Sequence, residues 1–408
     1  MASKSNRFRI RPMLNEKGPR NDNNDENTGW LSTVLSISRR YSMLIALIFI
    51  MLLFGILTDG VLLAPRNISN LIFQNSYIAI LAVGMLLCIL TGGNIDLSVG
   101  SVLGFIGAVA GDLMIVRQLP VLPSILICLF VGLLIGIWQG FWIAYVGIPP
   151  FIATLAGMMI FRGLTLIVLK GLTLAPFPRS FLDLSTGHIP DFLNKSDATI
   201  NITCLFFGFS ATIVFIAIKL WGRYRRIKKG YATGSTVMFV INILLIGAAL
   251  IGSTIVLSQY RGIPTVLIIL VIIILIYSVL TSMTVPGRYL YAIGGNEKAA
   301  RLSGINTKRV MFLAYTNMSF LAAVAGLVFA ARLNSSNPTA GNMFELDAIA
   351  SCFIGGASAY GGIGTVGGVL IGAAFMGVMN NGMNIMGFQT AQQQVVKGLV
   401  LLLAVALV

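Results

Sequence analysis

Charged side chains are scarce in this sequence. Only 10% of its 408 residues are Asp, Glu, Lys or Arg, 57% are hydrophobic, and the mean hydropathy is +0.90. A soluble domain carries about 25% charged residues, so the shortage excludes the two or three soluble domains that the length alone would suggest. Long apolar runs recur without alternating polar residues, and each therefore predicts a membrane-spanning helix rather than a strand of a barrel.

Histidine and cysteine are also rare. His188 is the single histidine, and the four cysteines lie far apart, without CxxC spacing, inside apolar runs. This distribution argues against a metal site, and we expect neither a metal nor a cofactor. The cysteines are predicted to pack as small apolar residues within helices. They are Cys88, Cys128, Cys204 and Cys352.

The motifs of catalysis are missing as well. The chain contains no GxxxxGK[ST] P-loop, no HExxH, no nucleophile elbow and no DDxxD-like acidic cluster. The sequence gives no support for an enzyme.

Positive charge exceeds negative charge, with 28 Lys and Arg against 13 Asp and Glu, for a net charge of +15. Eighteen of the 28 fall in residues 1–40, 221–230 and 286–309. An even number of predicted spans separates these segments, so they share one side, which the positive-inside rule identifies as the cytoplasm. The basicity thus indicates orientation and contact with anionic lipid, not binding of nucleic acid.

These patterns predict an all-α, polytopic transmembrane helix bundle of about 10–12 spans with both termini in the cytoplasm. Residues 1–40 are polar and are expected to form a cytoplasmic tail, and residues 41–408 the transmembrane domain. Residues 200–260 contribute a helical hairpin, and residues 286–309 a cytoplasmic loop. The apolar run at the end of the chain suggests that polypeptide continues beyond Val408.

The 286–309 loop carries a helix signal of its own. Asn296 is a good N-cap, Glu297 suits the positive end of the helix dipole, and Gly304 supplies a C-terminal stop, which together predict one helix of about two turns. Gly294 and Gly295 are expected to break the chain before it. Small or apolar residues recur at helical spacing and predict one apolar face; they are Ala299, Leu302 and Ile305. Docking of a cytosolic partner is favoured over the alternative, a solvated basic loop.

Two charged residues lie inside the apolar region. Asp96, in GGNIDLSVGS, is flanked by Asn94 and Ser98, and it either lines a cavity or caps the third span. Arg162 lies roughly 16 Å into the fifth span and needs a carboxylate or carbonyl partner. A structural partner is favoured over contact with a solute. The candidate carboxylates are Asp96, Glu345 and Asp347.

Amides and glycines form two further patterns. Gln74, Asn75 and the NNGMN run at 380–384 are suited to hydrogen-bonding a sugar, although bonding between helices is the favoured alternative. The glycine-rich segments 91–107 and 354–372 are alike, and each separates an inward from an outward span, as in half-repeats of transporters.

Several runs together identify a family. LAVGMLLCILTGGNIDLSVGS, GIPPFIATLAGMMIFRG, GRYLYAIGGNEKAARLSGI and ELDAIASCFIGGASAYGGIGTVGG closely resemble, in order and spacing, the permease subunits of ribose, xylose and galactose ABC importers. The resemblance extends from about residue 40 to the end. The extra hairpin before QYRGIPT is similar to that of the xylose and multiple-monosaccharide permeases. The sequence departs from the usual pattern at GGNIDLSVG.

The resemblance implies import of a monosaccharide, a xylose-like pentose or a hexose, across the cell (inner) membrane. It implies separate ATPase subunits, an extracytoplasmic sugar-binding protein and a second permease copy in the bilayer. The residues expected along the translocation path are Asn94, Asp96, Ser98, Arg162, Glu345, Asp347, Asn380 and Asn381. Those expected to couple to the ATPase are Gly294, Gly295, Asn296, Glu297, Arg301, Leu302 and Gly304.

Alternatives remain. A branched-chain amino-acid or nucleoside permease of the same superfamily differs only in solute. An ATP-independent secondary carrier or channel is a different class, and a membrane scaffold would move no solute.

Overall fold

The computed structural model describes residues 42–193, 200–231 and 235–407, which form fifteen α-helices and no extended strand. The all-α prediction is confirmed for this part of the chain. The predicted tail, residues 1–40, lies outside the described residues. In chain order the helices are α1 Ser42–Leu57, α2 Pro65–Leu90, α3 Val99–Gly111, α4 Val121–Phe141, α5 Pro150–Leu169, α6 Arg179–Thr186, α7 Ile202–Lys228, α8 Thr236–Ser258, α9 Thr265–Met283, α10 Val285–Gly295, α11 Glu297–Leu302, α12 Thr307–Leu333, α13 Phe344–Ile354, α14 Val366–Ile385 and α15 Thr390–Leu407.

Nine of the described helices are long and apolar enough to cross a membrane. π-helical turns at Asp112–Val116 and Trp142–Val146 extend α3 and α4, and α3 reaches that length only with its turn. Shorter apolar helices, α1 and α15, lie at the two ends of the described chain, and α13 has only 11 residues. The structure thus agrees with the predicted polytopic bundle, including the short, glycine-broken span that begins near Glu345.

The centre of the bundle is formed by α2, α3 and α12, and α12 packs against all of α2, α3 and α4. The apolar window of α2 is 83% buried, whereas those of α7 and α8 are each 17% buried. The α7–α8 hairpin packs mainly on itself, with Gly208 directly against Thr254. The predicted 200–260 hairpin therefore stands at the periphery, and its wide apolar surface suits contact with lipid.

Both α3 and α13 begin inside the bundle rather than at its surface. Gly157 lies about 10 Å from the start of α5 at the usual helical rise and packs beside Ser98, the residue before α3. The loop before α13 runs along α3, with Ala340 beside Gly104 and Gly341 beside Gly100. The start of α13 therefore lies close to the start of α3. Irregular backbone at such depth survives only where protein buries it or where it lines a cavity.

The 286–309 loop differs from its prediction in one respect. It contains two helices, α10 and α11, because Gly294 and Gly295 continue α10 to its end instead of breaking the chain. Gly294 makes a close backbone contact: a Cβ placed there would lie 2.1 Å from the Leu90 carbonyl oxygen and 2.2 Å from the Gly362 nitrogen. This tertiary contact gives a glycine in the helix a packing role that offsets its poor helix propensity.

The rest of that loop agrees with the sequence. The side chain of Asn296 accepts a hydrogen bond from the Ala299 amide at 3.0 Å, which caps α11. Gly304 follows the helix with φ +85°, a conformation that glycine adopts without strain. The predicted helix of about two turns is confirmed as α11, with six residues.

Candidate functional site

Asp96 lies in a buried chain of hydrogen bonds. Its side chain is 0% exposed, and its Oδ1 accepts hydrogen bonds from the backbone amide of Ser98 at 2.9 Å and from the Ser98 hydroxyl at 2.6 Å. Ser98 Oγ accepts from Gln139 Nε2 at 2.7 Å, and Gln139 Oε1 accepts from the Ser319 hydroxyl at 3.1 Å. The chain ties the start of α3 to α4 and α12.

This geometry supports the interpretation that Asp96 helps to organise the start of α3. Its other oxygen, Oδ2, and the hydroxyl of Tyr315 are both buried without a hydrogen-bond partner in the described residues. Asn94 donates to the Thr91 carbonyl at 3.2 Å and so closes the end of α2. A role of Asp96, Asn94 and Ser98 in a translocation path stays a prediction.

The roles of Gln139 and Ser319 in this hydrogen-bond chain were not predicted from the sequence. A signal was present for one of them, because Gln139 is the single amide in α4 and a polar group in an apolar span needs a partner. Ser319 carried no comparable signal, since serine is common in buried helices.

Arg162 finds a carbonyl rather than a carboxylate. Its Nη1 donates to the Ala340 carbonyl at 2.9 Å, in the loop before α13. Glu345 is close enough for an attractive electrostatic interaction with Arg162, and its Oε2 points at the backbone of Gly100. Of the other candidates, Asp96 bonds to Ser98, and Asp347 forms an ion pair with Lys397 at 2.9 Å. Of the two predicted kinds of partner the carbonyl is observed, and none of the three candidate carboxylates forms a hydrogen bond with Arg162.

The amides near the end of α14 bond to α2. Asn381 donates to Gln74 Oε1 at 3.1 Å and accepts from Asn67 at 2.8 Å, so its amide is already engaged with protein. This favours the predicted alternative, hydrogen bonding between helices, over contact with a sugar. The Oδ1 of Asn380 is buried without a partner in the described part of the chain.

The two similar glycine-rich segments contact each other. A Cβ at Gly93 would lie 2.0 Å from the Ala359 carbonyl oxygen, and one at Gly361 would lie 2.5 Å from Gly92 Cα. Gly362 donates its amide to the Leu90 carbonyl at 3.2 Å, at the point where Gly294 also makes contact. We name this contact the glycine junction and define it as Gly92, Gly93, Gly294, Gly361 and Gly362. Through backbone contacts, this junction joins the break between α2 and α3 and the break between α13 and α14 to the end of α10 in the 286–309 loop.

The surface around α11 combines a polar cleft with an exposed apolar side chain. The cleft has a volume of about 500 Å³ and is lined by Glu297 and Arg301 on one side and Gly147 on the other. Leu302 is 90% exposed, and Ala299 is exposed as well, whereas Ile305 is half-buried. The predicted apolar face therefore exists, and the described part of this chain does not cover it.

Groups suited to metal binding are dispersed. No three His, Cys, Asp or Glu side chains come together within the described ranges. His188 packs edge-on against Phe73 with ring centroids 5.4 Å apart, and burial, together with the positive charge of Arg261, lowers its pKa. All four cysteines are free and buried in helices, as predicted.

Comparison with known proteins identifies the family. A family model described as branched-chain amino acid transport system / permease component matches residues 67–405. The chain belongs to this permease family. It is a multi-pass protein of the cell (inner) membrane.

The individual relatives are permeases as well. The permease is 39% identical over 365 residues, 90% of each chain, to the xylose transport system permease protein XylH of Escherichia coli (strain K12). It is 39% identical over 368 residues, 90% of this chain and 94% of the relative, to XylH of Haemophilus influenzae. It is 36% identical over 360 residues, 88% and 90% of the two chains, to the ribose import permease protein RbsC of Bacillus subtilis (strain 168). No solved structure matches the permease significantly.

Proposed function

We propose that this permease is the membrane subunit of a binding-protein-dependent ABC importer that carries a monosaccharide, a xylose-like pentose or a hexose. The observation that carries the proposal is the 39% identity to a xylose permease over 90% of both chains. The 36% identity to ribose permeases also favours a sugar. The nearest alternative, import of a branched-chain amino acid, is favoured only by the description of the family.

The proposal includes partners. A separate ATPase subunit supplies the energy, since the sequence has no P-loop. Exposed Leu302 and the adjoining cleft on α11 support docking of that subunit. A sugar-binding protein delivers the solute on the opposite side, and a second permease copy completes the translocation path. The chain acts as a transport subunit and not as an enzyme.

The contacts suggest how ATP binding drives alternating access. Closure of the ATPase subunits displaces α11, and α10 moves with it because only Asn296 separates the two helices. Gly294 then transmits the displacement to the end of α2 and to the segment between α13 and α14, which it contacts directly. Interfaces packed this closely shift between discrete arrangements rather than deforming gradually. As a result, the end of α2 and the segment between α13 and α14 open or close together at the inner face.

Uptake measurements test the proposal. In cells or proteoliposomes that contain the permease with its cognate ATPase and binding protein, we expect ATP-dependent uptake of labelled xylose, ribose or galactose. Leucine serves as the control solute. Uptake of leucine alone would identify an amino-acid permease, and sugar uptake that survives removal of the ATPase would identify a secondary carrier.

Charge changes on α11 test the coupling. Glu297→Ala and Arg301→Ala are each expected to lower sugar uptake about 10- to 150-fold, because a lost hydrogen bond to a charged group at an interface removes about 1.5–3 kcal/mol. Membrane insertion and the amount of folded permease should stay unchanged, since both side chains are exposed. Wild-type uptake in both variants would contradict the assignment of α11 to coupling.

A further inference from the structure

A second cavity lies between α13 and α15, away from the glycine junction. Its volume is about 210 Å³. Its wall is mainly apolar, but six of its thirteen lining residues have polar side chains. The polar side chains are Asn342, Asp347, Thr390, Gln393, Gln394 and Lys397.

The charged pair in this cavity has a buried carboxylate and a half-buried ammonium group. The side chain of Asp347 is 4% exposed and that of Lys397 is 27% exposed, and Lys397 Nζ lies 2.9 Å from Asp347 Oδ1 and 3.0 Å from Oδ2. Removing two charges from water costs free energy that their attraction offsets only in part. In a transmembrane protein, such residues usually face a cavity and take part in function.

The pair has no net charge, and this restricts the ligand. A free anion or cation would compete with one partner of the pair for the other. A neutral solute that both donates and accepts hydrogen bonds can instead bridge the carboxylate and the ammonium without breaking the pair. Hydroxyl groups have this property, since each has one donor and two acceptor positions.

The neighbouring amides add unused hydrogen-bonding capacity. None of the side-chain hydrogen bonds within the described residues involves Asn342 or Gln394. Gln393 donates to Asn384 Oδ1 at 2.7 Å and to the Phe388 carbonyl at 2.9 Å, which leaves its own carbonyl oxygen as an acceptor. Apolar side chains complete the wall opposite these groups; they include Phe344, Ala350 and Met376.

The size and position of the cavity fit one small polyol. Sites for drug-sized ligands have volumes of about 300–1,000 Å³, so 210 Å³ suits a single sugar ring. Lys397 lies about 10 Å from the start of α15 at the usual helical rise. In the proposed orientation α15 starts at the outer face, where a binding protein would release its sugar.

We propose that the cavity formed by Asp347, Lys397 and the surrounding amides is a monosaccharide-binding site on the outer half of the translocation path. The choice of a sugar as ligand rests on the proposed function. The site binds one sugar ring through the ion pair and the free amides. Its affinity is weak, because Asn342 and Gln394 are exposed and the cavity is partly open.

Thiol protection tests the site without requiring transport. Gln394→Cys and Asn342→Cys place a thiol on two walls of the cavity, and Gln118→Cys, in the exposed loop between α3 and α4 on the outer side of the membrane, is the control outside the cavity. The native cysteines are buried and should react slowly with a hydrophilic methanethiosulfonate. The full-length permease is labelled in proteoliposomes while xylose or ribose is titrated over the millimolar range, with leucine as the control solute.

We expect xylose or ribose to slow labelling of both cavity thiols about fivefold at a concentration of roughly four times its Kd, since about one fifth of the sites then stay free. Labelling of Gln118→Cys should not change, and leucine should protect neither cavity thiol. No protection by either sugar, protection by leucine, or equal protection of the control thiol would overturn the site. Sugar uptake by the wild-type importer is measured in parallel, so normal uptake without protection rejects this site and leaves the proposed function intact.

Discussion

Gly294→Ala is expected to abolish most sugar uptake and to destabilise the permease, whereas Gly295→Ala should leave both near wild type. The two glycines are adjacent at the end of α10, but their surroundings differ. A Cβ at Gly294 would lie 2.1 Å from the Leu90 carbonyl oxygen and 2.2 Å from the Gly362 nitrogen, whereas one at Gly295 would meet no atom of the described residues within 4 Å. Overpacking typically costs about 1–3 kcal/mol, and here the obstructing atoms are backbone, which cannot rotate away.

The matched pair separates packing from helix propensity. Alanine in place of glycine in a helix would by itself stabilise the fold by about 0.5–1 kcal/mol, and Gly295→Ala should show that effect. The measurements are the thermal unfolding midpoint of the purified permease and the initial rate of ATP-dependent sugar uptake. Equal behaviour of the two variants would mean that the contact of Gly294 with Leu90 and Gly362 has no role in stability or coupling.

The contrast between the two glycines also shows where the sequence could and could not predict the 286–309 loop. Asn296 and Gly304 were read correctly because capping depends on residues within one helical turn. Gly294 was read wrongly as a break. Its conformation depends on Leu90 and Gly362, which lie far away along the chain and carry no local signal.

The same limit applies to the charged residues of the membrane domain: the sequence shows that a charge needs a partner, but it does not show which residue supplies one. The sequence predicted that Arg162 needs a partner, because an unpaired charge in an apolar span is costly. The identity of that partner, the Ala340 carbonyl, depends on how the loop before α13 folds back along α3. The Asp347–Lys397 pair was not predicted, although Lys397 is the one charged residue of α15 and a charge in an apolar span needs a partner.

The similarity of the segments 91–107 and 354–372 gains meaning from their contact. Two glycine-rich segments can be alike through composition alone. In the structure they meet where Gly93 approaches the Ala359 carbonyl and Gly361 approaches Gly92, so each supplies the close surface that the other requires. Gly93 also has φ +75°, so an L-residue there would be strained in addition to clashing. Packing of this kind explains why both segments are rich in glycine, whether or not they arose by duplication.

Leu302→Ala should weaken binding of the ATPase subunit about 10- to 150-fold. Leu302 is 90% exposed at the end of α11, beside the cleft that Glu297 and Arg301 line. Full burial of a leucine side chain contributes about 1.5–3 kcal/mol, which corresponds to this range of Kd. The measurement is a titration of labelled ATPase against the permease in lipid nanodiscs.

Lys298→Ala is the matched control, because Lys298 is an exposed residue of the same short helix and charges at the rim of an interface contribute little. Leu302→Met should restore most of the affinity, since methionine has a similar apolar volume. If Leu302→Ala and Lys298→Ala bound the ATPase equally well, the apolar tip of α11 would not be an anchor, and contact would have to depend on the polar cleft alone. If instead only Leu302→Ala lost affinity and uptake fell in proportion, one side chain at the tip of a six-residue helix would link the ATPase to the glycine junction through α10.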